Sequence, residues 1–477
     1  MKGTRMFKWL LLSLVLIVNP TLTLAEELSA TALFYRCYAQ ITQTRPDRTS
    51  SLLAKVRNGQ TNPIAACMSV LDSAQFNNNH VISNTGNSEA KNVLRTFHNL
   101  HASWFQTKQF PENFTFLQNR STYQVHDNSV PALYITRSLF ETSVPIDYIF
   151  KTTENLVANR TTNNPNSMQG VNKSEYPFPA SDFRFASNGD LLGVSITGPR
   201  NWSYSYVNRN NKSFSGTVNA AANLGGGVLG SQPYLLLTVD EDATFKSDGA
   251  VEMPRKWARN FISDFLCRDL PLIRPNDGDA FIAPNSDVEF RKASSCIRCH
   301  ATMDRMASTL RNLNFNAIAG QNSLTPSMGL VVAQEFPQNK GAESGWPAIE
   351  DKDYAHRPTR GTLFFRNYKG ELINQPVTSV SDLGLKLSQQ DDPYICLASR
   401  YYRYFTGIST NVGDIGDTSL GYSLSKGDLE RRNLVIQLGL ELKGHKNLRT
   451  LIQRILNLPH YQQSDFSAYS ERGLAGE

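Results

Sequence analysis

A mainly α-helical fold is what this sequence predicts, with an N-terminal helical domain, a small β-rich or irregular insertion and a C-terminal helical domain. Three observations lead there. Ser88–Trp104 places Val93, Phe97, Leu100 and Trp104 at successive spacings of 4, 3 and 4, the apolar stripe of an amphipathic helix. Residues 294–314 run without Pro or Gly, which favours a second long helix. Between them, residues 163–230 accumulate Asn, Ser and Gly and carry only short alternating runs, a strand-and-turn signature.

Met1–Ala25 has the layout of a secretory signal peptide. Lys2, Arg5 and Lys8 form a positive start, Trp9–Val18 an apolar run, and Thr23-Leu24-Ala25 a small-residue cleavage site. Ten apolar residues fall well short of the ~20 that span a bilayer, and no later stretch reaches about 18 uninterrupted apolar residues. The mature chain is therefore expected to be exported, to periplasm or cell envelope, with no transmembrane segment. Those three basic residues supply half of the formal charge of +6, leaving +3 after residue 25. A balance that small does not argue for nucleic acid or for an anionic membrane as a partner.

Residues 26–165 read as the helical domain, with Glu27–Gln43, Leu52–Val56, Ile64–Leu71 and Ser88–Trp104 as its helices and Asn77–Asn87 as a loop. His98 and His101 share one helix at i, i+3, but no carboxylate or thiol lies near in sequence. A solvated or locally bonded pair is the expectation rather than a metal site. Residues 166–250 form the β-rich or irregular segment, through Phe183–Phe185, Leu191–Ile196 and Trp202–Val207. Gly225-Gly226-Gly227 lacks any phosphate-binding context and reads as a loop. Residues 251–477 form the C-terminal domain. Val380–Ser388 reads as a helix, and a second starts at Asp392 with Pro393 at its first turn and stops at Gly407. Leu429–Leu442 and Leu448–Leu456 are a final helical pair.

Within the C-terminal domain, Cys296-Ile297-Arg298-Cys299-His300 is a CxxCH motif, the attachment signature of a c-type haem. On a helix, Cys296 and Cys299 lie on one face with His300 beside them. Two thiols then reach the two vinyl groups while the imidazole reaches the iron from one side. Ser294 or Ser295 is the expected N-cap. A zinc half-site would need further Cys or His close by, and the nearest candidates are Cys267 and His356. A redox CxxC would be expected at a helix head following a strand; a disulfide framework is the third alternative.

The four other cysteines, Cys37, Cys67, Cys267 and Cys396, suggest two disulfides in an exported chain, with three possible pairings. Locality favours Cys37–Cys67, which leaves Cys267–Cys396; four buried free thiols are the alternative. On the far side of the iron, Met328 in a Pro- and Gly-flanked loop is the preferred second ligand. His356 or no protein ligand comes next, then Met253, His445 and His460. Met303 and Met306 share the helix of His300 and are expected to pack as core.

The order of motifs from Gly226 to Tyr461 resembles that of the large, multi-domain exported cytochrome c proteins common in planctomycetes and myxobacteria. The residues carrying it are Tyr234–Thr238, Pro254-Arg255, Phe261–Pro271, CIRCH with Met303-Asp304, Tyr394–Gly407 and Leu451–Tyr461. The resemblance implies a cytochrome c-like helical haem domain, covalent haem c on Cys296, Cys299 and His300, and Cys267 and Cys396 at the family's paired cysteine positions. Departures concentrate after the motif: the family's Asp-Pro-Leu-Gly is Asp304-Arg305-Met306-Ala307 here, and its Gly-Arg is Gly407-Ile408. The resulting expectation is an exported monohaem cytochrome that passes single electrons to or from a redox partner protein, without catalytic residues of its own. The alternatives are a peroxide- or small-gas-reactive haem oxidoreductase with an open sixth position, and an envelope binding or scaffold protein with structural haem.

Overall fold

The computed structural model describes residues 26–74, 87–105, 130–153, 155–158, 193–196, 200–207, 213–220, 224–231, 234–235, 249–318, 330–335, 337–343, 346 and 352–464. The signal segment Met1–Ala25, the Phe183–Phe185 run, most of the Asn77–Asn87 loop and Met328 lie outside them. The described chain is mainly helical, as expected. Its helices are α1 (Ala30–Thr42), α2 (Ser51–Arg57), α3 (Pro63–Leu71), α4 (Ser88–Trp104), α5 (Val130–Phe140), α6 (Tyr148–Lys151) and α7 (Gly249–Leu266). Then follow α8 (Pro275–Gly278), α9 (Ser294–Ala307), α10 (Val380–Leu387), α11 (Asp392–Thr406), α12 (Lys426–His445) and α13 (Leu448–Leu456).

Local chemistry sets these boundaries. Ser29 and Asn87 accept backbone N–H bonds at the starts of α1 and α4, filling donors that the first turn leaves unpaired. At α11 Pro393 occupies the first turn, and Gly407 closes the helix in the left-handed region at φ 74°. Central helix α11 is buried almost all round, with Tyr394, Tyr401, Tyr402 and Phe405 inside. Those aromatics therefore pack against neighbouring helices. α12 approaches it closely at Gly439, where a β-carbon would sit within 2.5 Å of the Ile395 Cα.

Among the described residues, four antiparallel two-stranded ladders interrupt the helices: β1 (Asn155–Ala158) with β2 (Gly193–Ile196), β3 (Arg200–Val207) with β4 (Ser213–Ala220), β5 (Leu313–Ile318) with β6 (Leu330–Glu335), and β7 (Gly361–Arg366) with β8 (Leu372–Val377). β2 and β3 fall on the alternating runs read from the sequence. The ladders after residue 310 were not anticipated, and they correct the helix expected to reach Asn314. α9 stops at Ala307, turns through residues 308–310, and Leu313-Asn314-Phe315-Asn316-Ala317-Ile318 pairs with β6 instead. Alternation of apolar and polar residues satisfies a two-residue period there, and it overrides an uninterrupted helical composition.

One buried apolar cluster runs from Leu33 and Phe34 in α1 through Phe97, Trp257 and Tyr401 to Tyr461. The two ends of the described chain are tied together as well: the Arg36 guanidinium donates to the carbonyls of Tyr461 and Gln463 at 2.7 and 2.6 Å. The Gly225-Gly226-Gly227 loop belongs to this packing. All three residues have positive φ, and a β-carbon at Gly227 would collide with the carbonyl of Ile149. Close backbone approach is thus the reason for these glycines. Two disulfides close the structure, Cys37–Cys67 and Cys267–Cys396. No described helix is long and apolar enough to cross a membrane.

Candidate cofactor-attachment site

Helix α9 is most exposed in its first turns and more enclosed towards its C-terminal end. Ile297, Ala301, Asp304, Met306 and Ala307 are buried, while Cys296 is exposed and Cys299 half-buried. Ala293 sits at the cap position without a side-chain bond, so neither Ser294 nor Ser295 is the N-cap; both lie in the first turn. What holds the helix down is charge and aromatic contact along its flank. The Arg298 guanidinium donates to the Ile273 carbonyl at 3.1 Å and to Asp417 at 2.8 Å. Arg305 lies over the rings of Phe364 and Phe281, 4.3 and 4.9 Å from their centroids, and burial lowers its pKa to about 10.

Cys296 and Cys299 are the two cysteines without a disulfide, and they are not joined to each other. Burial raises the Cys299 thiol above its ordinary pKa, with Arg298 pulling the other way. His300 stands one position further on, its side chain one-fifth exposed. Its Nδ1 bonds Asp304 Oδ2 at 3.1 Å, an i, i+4 pair on the same helix. Phe290 stacks on the imidazole with ring centroids 3.9 Å apart and planes 15° from parallel. Asp304, with no exposure, is gripped in turn by Arg255 of α7: Nε to Oδ1 at 2.7 Å and Nη2 to Oδ2 at 2.9 Å.

The two thiols and His300 thus share one side of a helix, and the second nitrogen of His300, Nε2, remains to act as a donor. Such a set can hold a planar group that offers two carbons to sulfur and one acceptor to nitrogen. Among the described residues no three His, Cys, Asp or Glu side chains are grouped to hold a metal ion.

The Cys267–Cys396 bridge fastens the residue after α7 to the buried interior of α11, and α7 packs directly on α9. Helix α9 is therefore braced through α7, with the Arg400 Nε 3.3 Å from the Cys267 sulfur. Of the candidates for a second iron ligand, Met328 lies outside the described residues. His356 donates from Nδ1 to the Pro337 carbonyl at 2.9 Å. His460 is buried against Tyr402 at 3.0 Å, and His445 is exposed. Met306 is buried core, and Met303 packs partly buried against the same core.

His98 and His101 are not solvated. Both are buried and share Thr136 Oγ1 through their Nδ1 atoms, at 3.1 and 2.8 Å, and His101 Nε2 meets the Tyr401 hydroxyl at 2.7 Å. Three residues around His300 escaped the sequence reading: Asp304 as its partner, Arg255 and Phe290. The i, i+4 spacing of His300 and Asp304 was visible as a signal; the other two come from segments that only folding brings near.

No family model, no curated protein and no solved structure matches this chain.

Proposed function

We propose that this is an exported monohaem c-type cytochrome that carries single electrons to or from a partner protein. The observation that carries the reading is the pair of unbridged thiols, Cys296 and Cys299, on the same side of one helix as His300. In a chain whose other four cysteines are all paired, two neighbouring thiols left unbridged are the exception, and an incoming group that consumes both explains it.

The residues fit a covalently attached haem. Cys296 and Cys299 would hold it through thioether bonds, and His300 would offer Nε2, since Asp304 engages Nδ1. When bound, haem supplies one-electron iron chemistry. The chain itself positions the imidazole, through Asp304 on one nitrogen and Phe290 on one face. It also shields the buried side of α9 from water with Ile297, Ala301 and Phe364. The signal-like start, Met1–Ala25, supports delivery to an envelope compartment, where haem attachment of this kind takes place.

A spectrum decides it. Protein produced with a periplasmic c-type maturation system is expected to show a reduced α-band that survives acid-acetone extraction. A colourless protein after correct maturation would falsify the reading. Binding of carbon monoxide to the reduced protein at neutral pH would move the assignment to a small-molecule-reactive haem protein. A far-red sulfur-to-iron band lost in Met328→Ala would assign the second ligand and keep the carrier reading.

A further inference from the structure

His300 is held more elaborately than attachment alone requires. A backbone carbonyl would be enough to orient an imidazole; here the acceptor is a carboxylate with no exposure, clamped on both oxygens. We infer that Asp304 is a positioning residue for His300, holding its Nδ1–H so that Nε2 becomes a stronger electron donor and the attached iron is poised at a lower potential. This rests on the haem reading above.

The inference follows from how each oxygen is used. Asp304 Oδ1 accepts from Arg255 Nε, whereas Oδ2 accepts from both Arg255 Nη2 and His300 Nδ1. Donating a proton to a carboxylate gives the imidazole partial anionic character and fixes its tautomer. Negative charge beside a ligand favours the more positive, oxidised metal. Arg255 offsets that charge only in part. Its side chain is about a quarter exposed and so screened by water, while Asp304 is fully enclosed. Phe290, stacked on His300 and itself beneath the Arg255 guanidinium at 5.1 Å, leaves the ring one orientation.

Arg255 and Asp304 therefore have opposite signs of effect, which gives the test. The matured holoprotein and its Asp304→Asn and Arg255→Gln variants would be titrated spectroelectrochemically, with covalent haem counted in each by its pyridine haemochrome. Asp304→Asn is expected to keep its haem and to favour reduction about tenfold, a positive shift of about 59 mV for one electron. Arg255→Gln is expected to move the potential the other way by less. Loss of packing would push both variants in the same direction, so a common direction overturns the inference, as do unchanged potentials in both. If Asp304→Asn does not mature, Arg255→Gln alone decides: a potential that is unchanged or higher overturns it. In all these results a normal haemochrome leaves the haem reading standing, whereas wild-type protein without haemochrome removes both.

Discussion

Two histidine-bearing helices, α4 and α9, make the informative comparison. Each carries an apolar stripe and places polar, ligand-capable side chains a turn apart. In α4, His98 and His101 face inward and are consumed by the fold. Thr136 Oγ1 donates its own proton to the Ala132 carbonyl at 2.8 Å, so its oxygen can only accept from the two imidazoles. His101 is then an Nδ1–H tautomer, and its Nε2 accepts from Tyr401. Every polar atom of that ring is matched within the interior, and no coordination site is left. In α9, Cys296, Cys299 and His300 lie on the less buried side, and one imidazole nitrogen is bonded while the other is kept in reserve. A histidine with both nitrogens bonded inside a core stabilises; one bonded on a single side and turned outward can ligate.

That contrast is broken or upheld most sharply by His101→Ala against His300→Ala. The first takes from the buried Tyr401 hydroxyl its bond to His101 Nε2, leaves Thr136 with only Ala132 and His98, and opens a cavity beside Trp104, whose ring lies 4.9 Å from the imidazole. A loss of roughly 3 kcal/mol in unfolding free energy is expected. His300→Ala loses the bond to Asp304 and the stacking on Phe290 but leaves Asp304 its two Arg255 bonds, so it should cost the haem-free chain clearly less, about 1 kcal/mol, yet abolish the expected α-band. Denaturant melts of both variants measure this. Equal losses would mean that His300 is also a structural histidine.

How much of this could be seen in the sequence follows from the range of the forces involved. The thiol–thiol–imidazole set was legible because it is local: three residues within five positions on one helix. The amphipathic stripe of α4 was equally legible, and so were Pro393 and Gly407 as the limits of α11. The environment of His98 and His101 was not, since Thr136 and Tyr401 lie 35 and 300 residues from His101. The helix expected to run to Asn314 failed for a similar reason: the partner strand of Leu313–Ile318 enters only at Leu330–Glu335. Arg255 and Phe290 were readable as residues, and only tertiary packing turned them into the setting of His300.

Acid separates the two regions next. Burial lowers the pKa of His101 to about 3, and burial together with Arg431 lowers that of His460 to about 4. Both imidazoles are neutral in the folded protein, and the unfolded chain takes up their protons near pH 6.5. Their contribution is complete above that pH and is lost as the pH falls toward 4. Each can supply a slope approaching about 1.4 kcal/mol per pH unit. A thermal midpoint that falls steadily between pH 6.5 and 4, less steeply in His101→Gln, is expected. A flat profile over that range would show that these rings open to solvent before the fold does.

The smallest effect concerns the two thiols themselves and sharpens the account of the outward face. In the haem-free chain, Cys296 is exposed, whereas Cys299 is half-buried with its thiol raised by desolvation. Alkylation requires both access and thiolate, so both terms act in the same direction at Cys299. Under non-reducing, native conditions two thiols should label, with Cys296 ahead of Cys299 by severalfold, while Cys37, Cys67, Cys267 and Cys396 stay protected in their bridges. Timed quenching and peptide mapping would read the order. Matched rates would place both sulfurs equally in solvent, and Cys299 leading would turn the helix the other way about its axis. Haem-loaded protein should label at neither, because both sulfurs would be consumed as thioethers on the face that α9 turns outward.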